Sequence, residues 1–82
     1  MVQILPFPLS RRARLVRKQA AWFVAQESRP GAERNLAHAL RVQANALAAK
    51  GIPQDEISQE LDALETAIRA AVARIMLTGV AG

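Results

Sequence analysis

The stretch Lys50-Gly51-Ile52-Pro53 constrains this chain more than any other. Glycine suits the left-handed position just past a helix, the isoleucine after it can fold back onto Leu47, and proline bars continuation. One helix must end there and the chain must reverse. Before the turn, Leu36, Leu40 and Leu47, flanked by Ala32, Ala39 and Ala44, recur at helical spacing with Gln43 as a polar interruption, which predicts helix 2 over residues 30–50. After it, Ile57, Leu61, Leu64, Ile68, Ala71 and Ile75 alternate spacings of four and three. That heptad seam predicts helix 3 over residues 53–77, fraying toward Gly79 and Gly82. Asp55 and Glu56 face the positive end of its dipole, and Arg69 and Arg74 lie toward the negative end. Two long helices joined by so short a turn pair as an antiparallel hairpin.

Upstream, Pro6 and Pro8 forbid a helix over residues 1–9. These residues read as an extended arm whose apolar pegs, Ile4, Leu5, Phe7 and Leu9, cover the domain's own core or else lie on a partner. Ser10 is the expected N-cap of helix 1, residues 11–26. Ala13, Val16, Ala20, Phe23 and Val24 gather on its inner side, and Arg11, Arg14, Arg17 and Lys18 on the other. Leu15 and Trp22, seven residues apart, form a second apolar strip beside the basic edge. Glu27 to Gly31 is a turn, with Pro30 suited to the first position of helix 2. The expected fold is all-α: a long antiparallel hairpin of helices 2 and 3, helix 1 packed across it, and an extended proline-containing arm in front of a single helical domain spanning residues 10–79.

Eighty-two residues bury little surface, so a second copy is a natural way to complete the core. The first nine residues lack the basic flank and long apolar run of a secretory signal, and Arg69 and Arg74 interrupt the longest apolar stretch. With no cysteine, there is neither a disulfide framework nor a thiolate metal site, and the expected setting is cytoplasmic. Catalysis needs a nucleophile or metal beside a base, and the chain offers one histidine, His38, between Arg34 and Arg41 on a polar helix face. Its carboxylates lie where the helix dipole and solvent account for them. The reading is therefore of a protein that is no enzyme, with no cofactor, no metal and no small-molecule substrate.

Charge is divided unevenly along the chain. Residues 1–50 hold nine Lys or Arg against two Glu, and residues 51–82 hold two Arg against five acids. The basic face of helix 1 is either solvated or answers the acidic start of helix 3, in the same molecule or in a second copy. Neither accounts for a tryptophan among arginines, the two residue types most enriched at binding hot spots. The leading expectation is a protein-interaction module, a homodimer or small regulatory subunit, binding through the 1–9 arm and Arg11, Arg14, Leu15, Lys18 and Trp22. The alternative is sequence-nonspecific nucleic-acid binding through Arg11, Arg14, Arg17, Lys18, Arg34 and Arg41, with the acids from Asp55 to Glu65 keeping helix 3 off the phosphates. Association of helix 1 with an anionic membrane surface is a third and less favoured reading.

Several residues spread along the chain carry a family resemblance: Leu5-Pro6-Phe7-Pro8, Arg11-Arg12, Leu15-Val16, Gln19-Ala20, Leu40-Arg41-Val42-Gln43, Leu47, Gly51-Ile52, and Leu64-Glu65 through Ala67-Ile68. In these the chain resembles a group of short, basic alphaproteobacterial proteins classed as a domain of unknown function. They are helix-packing and turn residues, and the resemblance implies no site, cofactor or partner. It suggests a bacterial cytoplasm.

Overall fold

Local signals and long-range packing divide the work of placing the helix ends. The structure, a computed structural model, describes residues 9–81, in which a one-turn 3₁₀ helix, Leu9–Arg11, precedes α1 (Ala13–Ala25), α2 (Arg29–Ala49) and α3 (Gln54–Ala81). The pegs Ile4, Leu5 and Phe7 lie outside the described residues. Leu9 is buried, and its amide donates to Glu60 Oε1 at 2.9 Å. That anchor corrects the expected start of helix 1. The Arg12 amide bonds back to the Leu9 carbonyl, Ser10 sits in the 3₁₀ turn, and Arg12 is the N-cap without any side-chain cap of its own. Burying Leu9 against α3 outweighs a serine cap, which is worth about 1 kcal/mol.

The other two helices begin and end largely on their own residues. Ser28 caps α2, its hydroxyl accepting from the Gly31 amide at 3.1 Å, with Pro30 in the first turn where no amide hydrogen is needed. At the far end Gly51 takes φ +84°, its amide donates to Ala48 O at 2.9 Å and the Ile52 amide to Leu47 O at 3.2 Å. These are the paired bonds of a Schellman motif, and half-buried Ile52 closes it against the core. Pro53 lies just outside α3, its carbonyl accepting the Ile57 amide. The helix then runs through Gly79 to Ala81, past the expected end at residue 77. A glycine inside a helix costs only about 1 kcal/mol against alanine and does not break the hydrogen-bond ladder.

Contacts between the helices give the directions. The chain enters α1 beside Glu60 and leaves it with Phe23 beside Arg69, so α1 runs parallel to α3. Glu33, near the start of α2, also meets Arg69, while Leu47, near its end, joins the core with Ile57, so α2 is antiparallel to both. The result is an up-down-up bundle in which α1 touches both hairpin helices and packs mainly along α3. Val16 and Ala20 of α1, Leu36 and Leu47 of α2, and Ile57, Leu64, Ile68 and Ala71 of α3 are buried together. Phe23, Leu40, Ala44 and Leu61 pack around them, whereas Ala13, placed by its spacing on the inner stripe, is exposed. The heptad seam is covered through Ala71 and not through Ile75, which is 36% exposed. The reason is length: the α1–α2 turn ends the bundle beside Val72 and Met76, and α3 continues.

Candidate interaction surface

Of the expected binding residues, Arg14, Lys18 and Trp22 lie on the outer face of α1, and Arg11 closes the 3₁₀ turn ahead of it. Arg11, Arg14, Arg17 and Lys18 are exposed, and Trp22 is 51% exposed. Lys18 Nζ lies 5.3 Å from the centre of the indole ring. One helical turn separates these two residues, so the helix itself sets up the contact, a cation–π pair worth about 0.5–1 kcal/mol at an exposed site. Leu15 departs from expectation: it is half-buried and packed against the core, so no Leu15–Trp22 strip faces solvent. The Leu9–Arg11 turn folds in beside the start of α1 and α3, and among the described residues nothing comparable flanks Trp22. On α2, Arg34, His38, Arg41 and Asn45 are exposed opposite the buried stripe.

Among the described residues no ion pair involves Arg11, Arg14, Arg17, Lys18, Arg34 or Arg41, and the acidic start of α3 does not answer the basic face of α1 within the chain. The ion pairs gather instead around Arg69. Its guanidinium donates to Glu33 through Nη1 and Nη2, at 3.0 and 2.7 Å, and to Glu65 through Nε at 3.0 Å. Arg29 donates to Glu33 at 3.2 Å, and Arg29 and Arg69 both lie about 6 Å from the Phe23 ring centre. The Glu65–Arg69 spacing of four was visible in the sequence; Glu33, 36 residues away from Arg69, was not.

Hydrogen bonding from Arg69, outweighing desolvation and joined by Arg29, holds the Glu33 carboxyl down from 4.5 to about 2. The same contacts, led by Glu33 and followed by Glu65, push Arg69 above its usual range. Glu33 therefore binds its proton less tightly when folded than when unfolded, and its contribution is full above pH 4.5 and lost as pH falls toward 2. Urea denaturation across pH should show Glu33→Gln less stable than wild type at neutrality, with the gap closing between pH 4.5 and 2. A gap that stays constant down to pH 2 would show that the carboxylate is not the source.

With this geometry in place, the comparison with known families is informative in one respect. A model described as a family of unknown function, DUF6074, matches residues 1–81. The chain belongs to that family. The DUF6074 match covers all three helices and the segment before them. No curated protein matches the chain, and no solved structure does.

Among the described residues of this DUF6074 chain, an open groove lies on each side of the C-terminal part of α3. One, of about 450 Å³, is lined by Phe23, Val24, Arg29, Arg69, Val72 and Met76. The other, of about 600 Å³, is lined by Arg17, Ala71, Arg74, Ile75 and Thr78. Both are mainly apolar, with two arginines in the lining of each. Among the described residues no three His, Cys, Asp or Glu side chains converge on a point that could hold a metal ion, and no helix is long and apolar enough to cross a membrane.

Proposed function

We propose that this chain is a non-enzymatic helical interaction module, a homodimer or small regulatory subunit, that engages a protein partner through the outer face of α1 and the 1–9 arm. One observation carries the reading: Trp22 stands half out of the fold, with Lys18 over its ring and exposed arginines beside it. An exposed tryptophan contributes little to the stability of its own chain, but when desolvated against a partner it is among the largest single contributors to affinity. Arg11, Arg14 and Lys18 supply the charged rim, and Leu15 braces the helix from beneath. Charge of one sign selects a partner that is acidic around an apolar pocket. A bacterial, cytoplasmic setting goes with this reading and rests on the family resemblance.

The single tryptophan makes the test direct, because its fluorescence reports on the surface itself. Binding of a captured partner should shift Trp22 emission to the blue. Trp22→Ala and Arg14→Glu should each weaken partner binding by about thirty-fold or more, the scale of a hot-spot truncation. Partner affinity unchanged in both variants would remove the surface from consideration.

The exposure of Arg11, Arg14, Arg17, Lys18, Arg34 and Arg41, none of them ion-paired among the described residues, favours nucleic acid as the second reading. Arg34 and Arg41 are exposed on α2 and would extend such a contact beyond α1. Titrating a random-sequence duplex against salt decides the matter. A phosphate-driven contact steepens the log–log slope by about 0.9 per phosphate, and a flat response excludes it.

A further inference from the structure

We propose that the C-terminal end of α3 is the docking site for a second copy of this chain, the two copies meeting tail to tail with their α3 ends antiparallel. The homodimer of the proposed function is thereby assigned to α3, and the α1 face is left for a different partner. The inference begins with a length mismatch. Ala71 is the last buried position among the described side chains of α3, yet the helix continues for ten residues to Ala81, about 15 Å of rise. On this extension Ile75, Met76 and Leu77 are 36%, 54% and 74% exposed. After Arg74 the sequence Ile75 to Gly82 contains no charged residue. A segment this short, containing a glycine and β-branched residues, does not hold a helix in water by propensity alone; helices of this kind are stabilised by packing.

Charge identifies the occupant. A two-fold contact sets a patch against its own copy, so the patch must be complementary to itself. The α1 face, with its cluster of like charges, repels a second α1 face. An uncharged apolar helix end does not. The antiparallel arrangement follows from the dipole. The last turn of α3 contains no basic residue, so α3 does not answer the negative end of its own dipole. Arg17 and Arg74 stand at the edge of the roughly 600 Å³ groove beside Ile75. Antiparallel overlap lays each α3 end in the partner's groove and places its free carbonyls near those two arginines.

The protein offers two independent readouts. In sedimentation equilibrium the wild-type chain should have twice the monomer mass. Met76→Glu and Leu77→Glu should each raise the dissociation constant about thirty-fold or more, with helical content preserved because both side chains are more than half exposed. Trp22→Ala should leave the dimer intact, which separates this contact from the α1 surface. The chain lacks cysteine, so spin labels can be placed singly at Thr78→Cys and Ser58→Cys. Tail-to-tail pairing predicts a short distance between the two labels at 78, and about 60 Å between those at 58, from the rise of about 1.5 Å per residue along two helices. The proposal is overturned by a chain that stays monomeric at every concentration, a dimer that survives both glutamates, or short distances at both label positions. It is equally overturned by a monomer whose Met76 and Leu77 instead drive co-sedimentation with phosphatidylcholine–phosphatidylglycerol vesicles.

Discussion

Replacing Ile68 with alanine is expected to destabilise the protein by about 2–5 kcal/mol, the range for deleting a large aliphatic side chain from a closed core. Ile68 is 0% exposed and sits midway along α3, in the cluster that joins Val16 and Ala20 of α1 to Leu36 of α2. The loss has two parts: the transfer free energy of the removed carbons, and the void their neighbours cannot collapse into. In a chain of 82 residues, whose total stability lies toward the lower end of about 5–15 kcal/mol, either limit removes a large fraction of the folded-state margin. Chemical denaturation should show the midpoint falling sharply at unchanged slope. A loss under about 1 kcal/mol would mean that the three helices do not close over this residue as described.

Filling space where there is none should be nearly as damaging. Ala20 is also 0% exposed and lies in the contact between α1 and the rest of the core. Ala20→Leu inserts three carbons there, and overpacking of this kind costs about 1–3 kcal/mol. Here the effect concentrates on one element. At thirteen residues α1 is too short to be stable alone, and it is held down chiefly by Val16, Ala20 and Phe23. Amide hydrogen exchange should therefore show α1 losing protection well ahead of α2 and α3, and Trp22 emission should change with it. Ala21→Leu, one residue along on the exposed side, serves as the control and should stay within about 0.5 kcal/mol of wild type. Equal costs at the two positions would show that α1 is not pinned at Ala20.

If α1 is the partner-binding element, these two substitutions also separate folding from recognition. Ile68→Ala weakens the whole bundle and should reduce binding only through the folded fraction. Ala20→Leu releases the binding helix itself and should reduce partner affinity under conditions where α2 and α3 remain folded. Binding that tracks global stability alone in both variants would argue that α1 is not the surface.

Much of this architecture was legible one residue type at a time. Gly51 and Pro53 marked the reversal, Pro30 the start of α2, and the four-three spacing from Ile57 to Ala71 the buried seam, because each acts within a turn or two of its own backbone. Exposure of Arg14, Lys18 and Trp22 followed from helical periodicity in the same way, whereas Arg11, expected in the helix, lies in the 3₁₀ turn ahead of it. Tertiary structure decided matters that no local spacing encodes. Leu9 displaced Ser10 from the cap because a buried leucine and the amide bond to Glu60, 51 residues away, outweigh a local hydroxyl. Leu15 was drawn to the core while Trp22, on the same side of α1, was not, since among the described residues only the first of them has a neighbour folding over it. Glu33 reached Arg69 because α2 runs back along α3, and the seam ended at Ala71 because the α1–α2 turn stops short of the end of α3. Periodicity states which side of a helix is apolar; what covers that side depends on where the neighbouring helices begin and end, and that is a property of the packed chain.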